Sequence, residues 1–285
     1  MKYFITVWKN RVCKFLDNPL AIIPFLKKRL YYDFIADDQI KYYEDFKYLN
    51  FEDTLNEIID KNRSIVRFGD ELFDMLQGIG LYYGDWRQKY SKDLAQRMEE
   101  VISSRDPRLL VCFNPEFILK TKKEFISEGI GNQWHFWTNS KIFLKNYYHK
   151  DIVYGSALCF TPRYNKNINY QKLKDYFLKK HIVIVTSNTD RFKDIELGKT
   201  TDFIEAPKSD AWQSYEMIKG KIISLVENKS WPRENILILA SMGSAAKVLT
   251  YDLTKLGYTT WDTGQFFDLA AKEIENLSKN IKAYL

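Results

Sequence analysis

Residues 235–264, NILILASMGSAAKVLTYDLTKLGYTTWDTG, constrain the fold more than any other stretch. Residues 236–240 are an apolar, β-branched run of strand length, and Ser241-Met242-Gly243-Ser244 follow as a tight turn of mostly small residues. The pattern over 245–256 puts Val248, Leu249, Leu253 and Leu256 on one helical face, and Gly257 follows as a left-handed cap. A second strand-like run, 259–262, ends at Asp262. Strand, helix and strand in this order form a βαβ unit, which needs a parallel pair of strands.

The same alternation recurs along the chain. Further strand-like runs fall at 64–68, 109–113, 152–160, 181–186 and 202–205. They are short, apolar and β-branched, as fits strands buried on both faces. Helical patterns fall at 51–61, 70–77, 92–103, 116–128, 132–147, 209–227, 244–256 and 265–279. The expected fold is α/β, a mostly parallel sheet with helices on both faces. A chain of 285 residues with 45% hydrophobic residues can bury such a core. Ligands of these sheets bind at the carboxyl ends of strands. The expected organisation is a basic helical extension over 1–50 and a single α/β domain over 51–285, joined through the acidic, tyrosine-rich stretch 33–48.

Composition excludes several classes. No run approaches the ~18 apolar residues of a membrane-spanning helix. Lys2, Lys9, Arg11 and Lys14 interrupt the N-terminal stretch, which has no small-residue cleavage site and does not read as a signal peptide. Cys13, Cys112 and Cys159 are far apart, and Cys112 and Cys159 sit in apolar runs as buried thiols would. His135, His149 and His181 lack metal-ligand spacing. The motifs of serine hydrolases, zincins and P-loop NTPases are missing. The expected location is the cytoplasm, either free or at the inner face of the cell membrane.

Charge is unevenly placed. Residues 1–32 carry Lys2, Lys9, Arg11, Lys14, Lys27, Lys28 and Arg29 against Asp17 alone, which accounts for the whole net charge of +6. Trp8, Phe15 and Phe25 are interleaved with them. Such a segment suits an anionic membrane surface. It equally suits a helical extension packed on the domain with its lysines in water. No basic stripe continues beyond it, so nucleic acid is not an expected partner. Pro19 and Pro24 should divide it into two short helices.

Chemistry is sought just after the strands. In RFGDELFDMLQG, residues 67–78, a strand ends at Arg67 and releases Gly69, Asp70, Glu71 and Asp74. Asp70 can cap a helix or, with Glu71 or Asp74, ligate a hard cation. The turn Ser241, Gly243, Ser244 can bring backbone amides to a phosphate at a helix start, or can be a plain strand–helix turn. Arg163 follows the 152–160 run, where a strand-end arginine could clamp a diphosphate or lie solvated in a loop. Trp134 and Trp137, three residues apart, read as helix core.

Four segments together resemble one family. FEDTLNEIIDKNRSIVRFGDELFDMLQG, QKYSKDLAQRMEEVI at 88–102, YGSALCFTPRY at 154–164 and SMGSAAKVLTYDLTKLGYTTWDTGQ at 241–265 are similar, in order, to the bacterial GT-D-fold glycosyltransferases. The resemblance spans roughly 51–268 and implies a Rossmann-like, GT-D-like sheet. It implies transfer of a sugar from a nucleotide-sugar donor, typically a UDP-sugar, to a glycan or lipid-linked glycan acceptor in bacterial surface polysaccharide or glycoprotein synthesis. It implies a divalent metal, Mn2+ or Mg2+, held through Asp70. The chemistry of hard oxygen ligands offers Glu71 or Asp74 as the second ligand, Asp262 as a base toward the acceptor hydroxyl or a holder of the sugar, Arg163 as a catalytic charge stabiliser, and Arg67, Gly69, Ser241, Gly243 and Ser244 as donor contacts. The family's Arg-Phe-Gly-Asp-Gly-Glu becomes Arg-Phe-Gly-Asp-Glu-Leu here, so Leu72 stands where its Glu would, and Gln265 stands where its late histidine would. These departures motivate an alternative, a catalytically inactive relative that binds a glycan or a partner transferase. An enzyme of another nucleotide, such as S-adenosylmethionine, is a weaker alternative suggested by the turn at Gly243.

Overall fold

The computed structural model describes residues 12–83, 86–192 and 194–283, except the side chain of residue 191. The strands are β1 Ser64–Arg67, β2 Leu81–Tyr83, β3 Trp86–Gln88, β4 Leu109–Phe113, β5 Gly155–Ser156, β6 His181–Thr186, β7 Thr200–Glu205, β8 Ile236–Ser241 and β9 Thr259–Asp262. The chain divides into two compact units interleaved in sequence. The first gathers the described residues up to Tyr48 with Phe68–Arg105 and Phe113–Tyr154. The second gathers Leu49–Arg67, Asp106–Cys112 and the described residues from Gly155 onward. The first crossing, from Tyr48 to Leu49, falls beside the expected border at 50, whereas 51–285 is shared between the units.

The second unit is built on a sheet of order β5-β4-β1-β9-β8-β6-β7. The pairs β1–β4, β1–β9, β8–β9, β6–β8 and β6–β7 are parallel, as the two-faced burial of these strands predicts. β4 and β9 are buried at every position, and β6 and β8 at all but one. Trp261 on β9 is fully buried, stacks on Tyr176 at 5.2 Å and donates its indole N–H to the Arg63 carbonyl at 2.9 Å. Tyr176 belongs to helix Tyr170–Phe177, an element absent from the sequence reading.

One strand expectation is corrected. The run 152–160 is buried over most of its length, yet only Gly155–Ser156 pair as a strand. Gly155 lies against Cys112 and Leu110 so closely that a side chain there would collide with both. Burial here comes from a loop pressed onto the sheet. The 116–128 pattern is likewise two helices, Pro115–Ile118 and Lys122–Ser127, because Thr121 and Glu124 form a capping box that restarts the backbone.

The first unit holds the antiparallel pair β2–β3 and short helices. Ala36, Tyr43 and Phe46 are buried, so 33–48 is a packed part of this unit and not a connecting stretch. The Lys141 ammonium is fully buried, pairs with Asp37 at 3.1 Å and lies 5.5 Å from the Trp134 ring. Trp134 and Trp137 are buried as expected. Pro19 divides the N-terminal segment as expected, since the helix through Asp17 ends at an extended Asn18 (φ −144°, ψ 94°), whereas Pro24 breaks nothing. Pro19 opens a 3-10 turn, Pro19–Ala21, and Pro24 sits in the first turn of helix Ile22–Lys27, where its missing N–H is not needed. Among the described residues no helix is long and apolar enough to cross a membrane.

Candidate functional site

In the second unit, β1, β9 and β8 are neighbours and present their carboxyl ends side by side. Arg67 ends β1 and Asp262 ends β9. Asp262 is 2% exposed. A carboxylate so enclosed must be compensated by partners. It accepts the Arg67 backbone N–H at 3.3 Å, and its oxygens lie 3.6 Å from the Lys247 ammonium and 4.0 Å from the Arg67 guanidinium. The guanidinium is aimed by its Nε donating to the Asp262 carbonyl at 2.6 Å and Nη1 to the Ala157 carbonyl at 2.9 Å, with the Phe160 ring 5.6 Å away. Two cations surround one carboxylate, so the strand edge keeps an excess positive charge.

The turn after β8 completes this edge. Gly243 has φ of +63°, which glycine adopts without strain. Ser244 stands at the start of helix Ala245–Lys255. It is 2% exposed, and among the described residues its Oγ has no partner and caps nothing. Ser241 Oγ is committed, donating to the Gly264 carbonyl at 2.5 Å. Gly264 has φ of +53° and passes so close to Arg67 that a side chain there would strike the guanidinium.

Lys247 is the residue that sequence reasoning missed. It is the third residue of its helix and 4% exposed. A signal was present in the chain. Cations are disfavoured in the first turn of a helix, where the macrodipole is positive, so a lysine there amid Ala245, Ala246, Val248 and Leu249 implies an anion nearby.

Arg163 takes the second of its two expected places, a solvated turn. It lies exposed in a turn seven residues beyond the end of β5, with its guanidinium 5.6 Å from the Tyr164 ring. Arg67 is the strand-end arginine of this structure.

The first unit carries the carboxylates. Asp70 stands at the cap position of helix Glu71–Leu76 but makes no capping hydrogen bond, so the plain-cap reading fails. Glu71 folds its carboxylate back over Gly69, where any side chain would collide with it. Asp74 is held by the Lys28 ammonium at 3.2 Å and by the Asn139 amide at 2.8 Å. Burial, then the charges of Glu71 and Asp74, push the Asp70 carboxyl up to about 7, against a smaller opposing pull from Lys28. Leu72 is fully buried and Gln265 is exposed. Among the described residues no three His, Cys, Asp or Glu side chains are grouped to hold a metal. The donor set that exists, Asp70 with Glu71, is a pair of hard oxygen ligands whose mutual repulsion contributes to raising the Asp70 carboxyl. It fits a cation bound through two carboxylates and completed by water or phosphate oxygens, as Mg2+ sites are.

A parallel α/β sheet with a cationic, small-residue carboxyl edge is the architecture of proteins that handle phosphorylated nucleotides. Within that class, the family model described as glycosyltransferase GT-D fold matches residues 65–280, and the chain belongs to that family. It is 28% identical over 229 residues to a probable glycosyl transferase, Gly, of Streptococcus gordonii, covering 76% of this chain and 31% of that protein. It is 27% identical over 227 residues to the glycosyltransferase GlyD of Streptococcus pneumoniae serotype 4, covering 75% and 26%. The chain thus spans about a third or less of the length of these relatives. Among solved structures, it resembles domain of unknown function 1792, described as having a distinct glycosyltransferase fold, with a TM-score of 0.67, 24% identity and coverage of 83% and 84%. It also resembles a glycosyltransferase of the same domain from Streptococcus sanguinis, with a TM-score of 0.62, 25% identity and coverage of 79% and 84%.

Proposed function

We propose that the chain is a glycosyltransferase that takes a UDP-sugar as donor and passes the sugar to a glycan acceptor, free or lipid-linked, in the synthesis of a bacterial surface polysaccharide or glycoprotein. The observation that carries this reading is the edge formed by Arg67, Lys247 and Asp262 beside Gly243 and Ser244. In the reaction, the bond from the anomeric carbon to the phosphate oxygen breaks and a bond to the acceptor hydroxyl oxygen forms. The hydroxyl proton is released, and a nucleoside diphosphate leaves with added charge. Arg67 and Lys247 are suited to holding that diphosphate, and the Ser244 hydroxyl and backbone amides at its helix start are suited to bonding phosphate oxygens. Two cations on Asp262 favour its aiming of Arg67 and Lys247 over the role of base. Asp70 and Glu71, in the first unit, are the residues that would hold Mn2+ or Mg2+, a hard Lewis acid.

A second reading is an inactive relative that binds a glycan or a partner transferase. It is favoured by the fully buried Leu72, which occupies a position where the family pattern has a carboxylate. Calorimetric titration with UDP, alongside UDP-sugar turnover with and without Mn2+, separates the readings. Turnover that Lys247→Met reduces tenfold or more supports the first. UDP binding without turnover of any donor supports the second. If UDP binds neither the wild type nor the variant, the nucleotide site is wrong.

A further inference from the structure

The N-terminal segment of the first unit is built inside out. Its polar side chains reach inward. Asp17 meets Tyr82 and Lys89, Asn18 donates to the Gly78 carbonyl at 2.6 Å, Lys28 pairs with Asp74 at 3.2 Å, and Asp33 accepts from Thr138 at 2.8 Å. Many of its large apolar side chains face water, although Ala21, Tyr32 and Ala36 are buried. Leu16, Leu20, Ile23, Leu26, Leu30 and Phe34 are all exposed, Leu16 at 75% and Phe34 at 80%. Leu20, Ile23, Leu26, Leu30 and Phe34 recur every three or four residues, and the backbone from Pro19 to Tyr43 is an almost unbroken series of helical turns, while Leu16 lies on the preceding helix, before the extended Asn18. Single exposed leucines are ordinary, whereas a continuous apolar stripe marks a docking surface.

We propose that this face docks on an anionic lipid surface. Charge selects that occupant. Residues 1–32 hold the whole net charge of the chain, and Lys27, Lys14 and Arg29 belong to the segment that carries the stripe, Arg29 being paired with Asp33 at 3.5 Å. Lys2, Trp8, Lys9 and Arg11, which the sequence reading also assigned to membrane contact, lie outside the described residues. The one exposed acid among residues 12–34, Asp17, is already engaged by Lys89 at 3.1 Å. Aliphatic and aromatic side chains entering the headgroup boundary, with cations at their margin, are the ingredients of peripheral attachment. The stripe lies outside residues 65–280, the stretch that the family model matches. The proposal stands independently of the sugar-transfer reading. It sharpens the expectation for residues 1–32 by naming the face and extending it to Phe34.

The test is co-sedimentation of the full chain with vesicles of phosphatidylglycerol and of phosphatidylcholine, at 50 and 500 mM salt, with light scattering of the free protein. The double variant Ile23→Glu/Leu30→Glu changes only exposed positions, and thermal melting checks that it folds. The expected result is partition onto phosphatidylglycerol at low salt, at least tenfold weaker on phosphatidylcholine, and at least tenfold weaker in the variant. Lys27→Glu should weaken binding to phosphatidylglycerol alone. Equal partition of wild type and a folded double variant overturns the proposal. So does a dimer that the double variant dissociates, since a second copy would then cover the face. If the double variant does not fold, Leu16→Glu/Leu20→Glu replaces it with the same criteria.

Discussion

Replacing Asp70 by Asn should stabilise the protein at alkaline pH. The Asp70 carboxyl titrates near 7 in the folded chain, raised from an ordinary 3.8 by burial and by Glu71 and Asp74. Between those two values the folded state binds more protons than the unfolded state, so stability falls as pH rises and levels off above about 7. A gap of roughly three pH units is worth at most about 4 kcal/mol. Asn cannot ionise, and because Asp70 makes no capping bond, the substitution forfeits none. Urea unfolding at pH 4.5, 6 and 8 with a chelator present measures the effect. Wild type should lose stability across this range by more than Asp70→Asn does, and the variant should be the more stable protein at pH 8. Added Mn2+ should narrow the difference by stabilising wild type alone. Equal pH slopes for the two proteins would refute both the raised carboxyl and the reasoning that makes Asp70 a cation ligand.

Gly264→Ala should lower the melting temperature and weaken UDP binding together, because the new methyl meets the Arg67 guanidinium at a backbone φ of +53°. A calorimetric titration beside a thermal melt checks this, and normal affinity in the variant would show that Arg67 does not touch the nucleotide. Gly155→Ala should cost about 1–3 kcal/mol through overpacking against Cys112 and Leu110. Urea unfolding reads it, and an unchanged midpoint would show that the 152–160 loop is not pressed on the sheet.

Much of the fold was legible because burial on both faces leaves continuous apolar runs. β4, β6, β8 and β9 are such strands, and the sequence pattern found each. The same signal misled at 152–160, since an apolar run reports burial and not pairing. Helix Tyr170–Phe177 escaped because Lys172, Lys174 and Asp175 mask a buried face of Leu173, Tyr176 and Phe177. Its signal was the Asn169 cap, whose side chain accepts the Lys172 N–H at 2.9 Å. β2 and β3 have three residues each, too few for a period to register.

At the candidate site, the strand-end rule selected Arg67 and Asp262, and the structure joins them. It could not select Lys247, because a pattern reading assigns lysine to solvent by default. The N-terminal segment shows the same limit from the opposite side. Composition marked it as basic and apolar at once, which is compatible with either set of side chains facing inward. Orientation is decided by the surface that receives it. Here that surface offers Asp74, the Gly78 carbonyl, Lys89 and Thr138, all polar partners contributed by distant parts of the chain. Lys28 and Asn18 therefore turn inward, and the leucines three or four residues apart are left facing out. Hydrophobicity alone would bury those leucines. That they are displaced by charged and amide contacts is the physical reason to look for an apolar partner outside the chain.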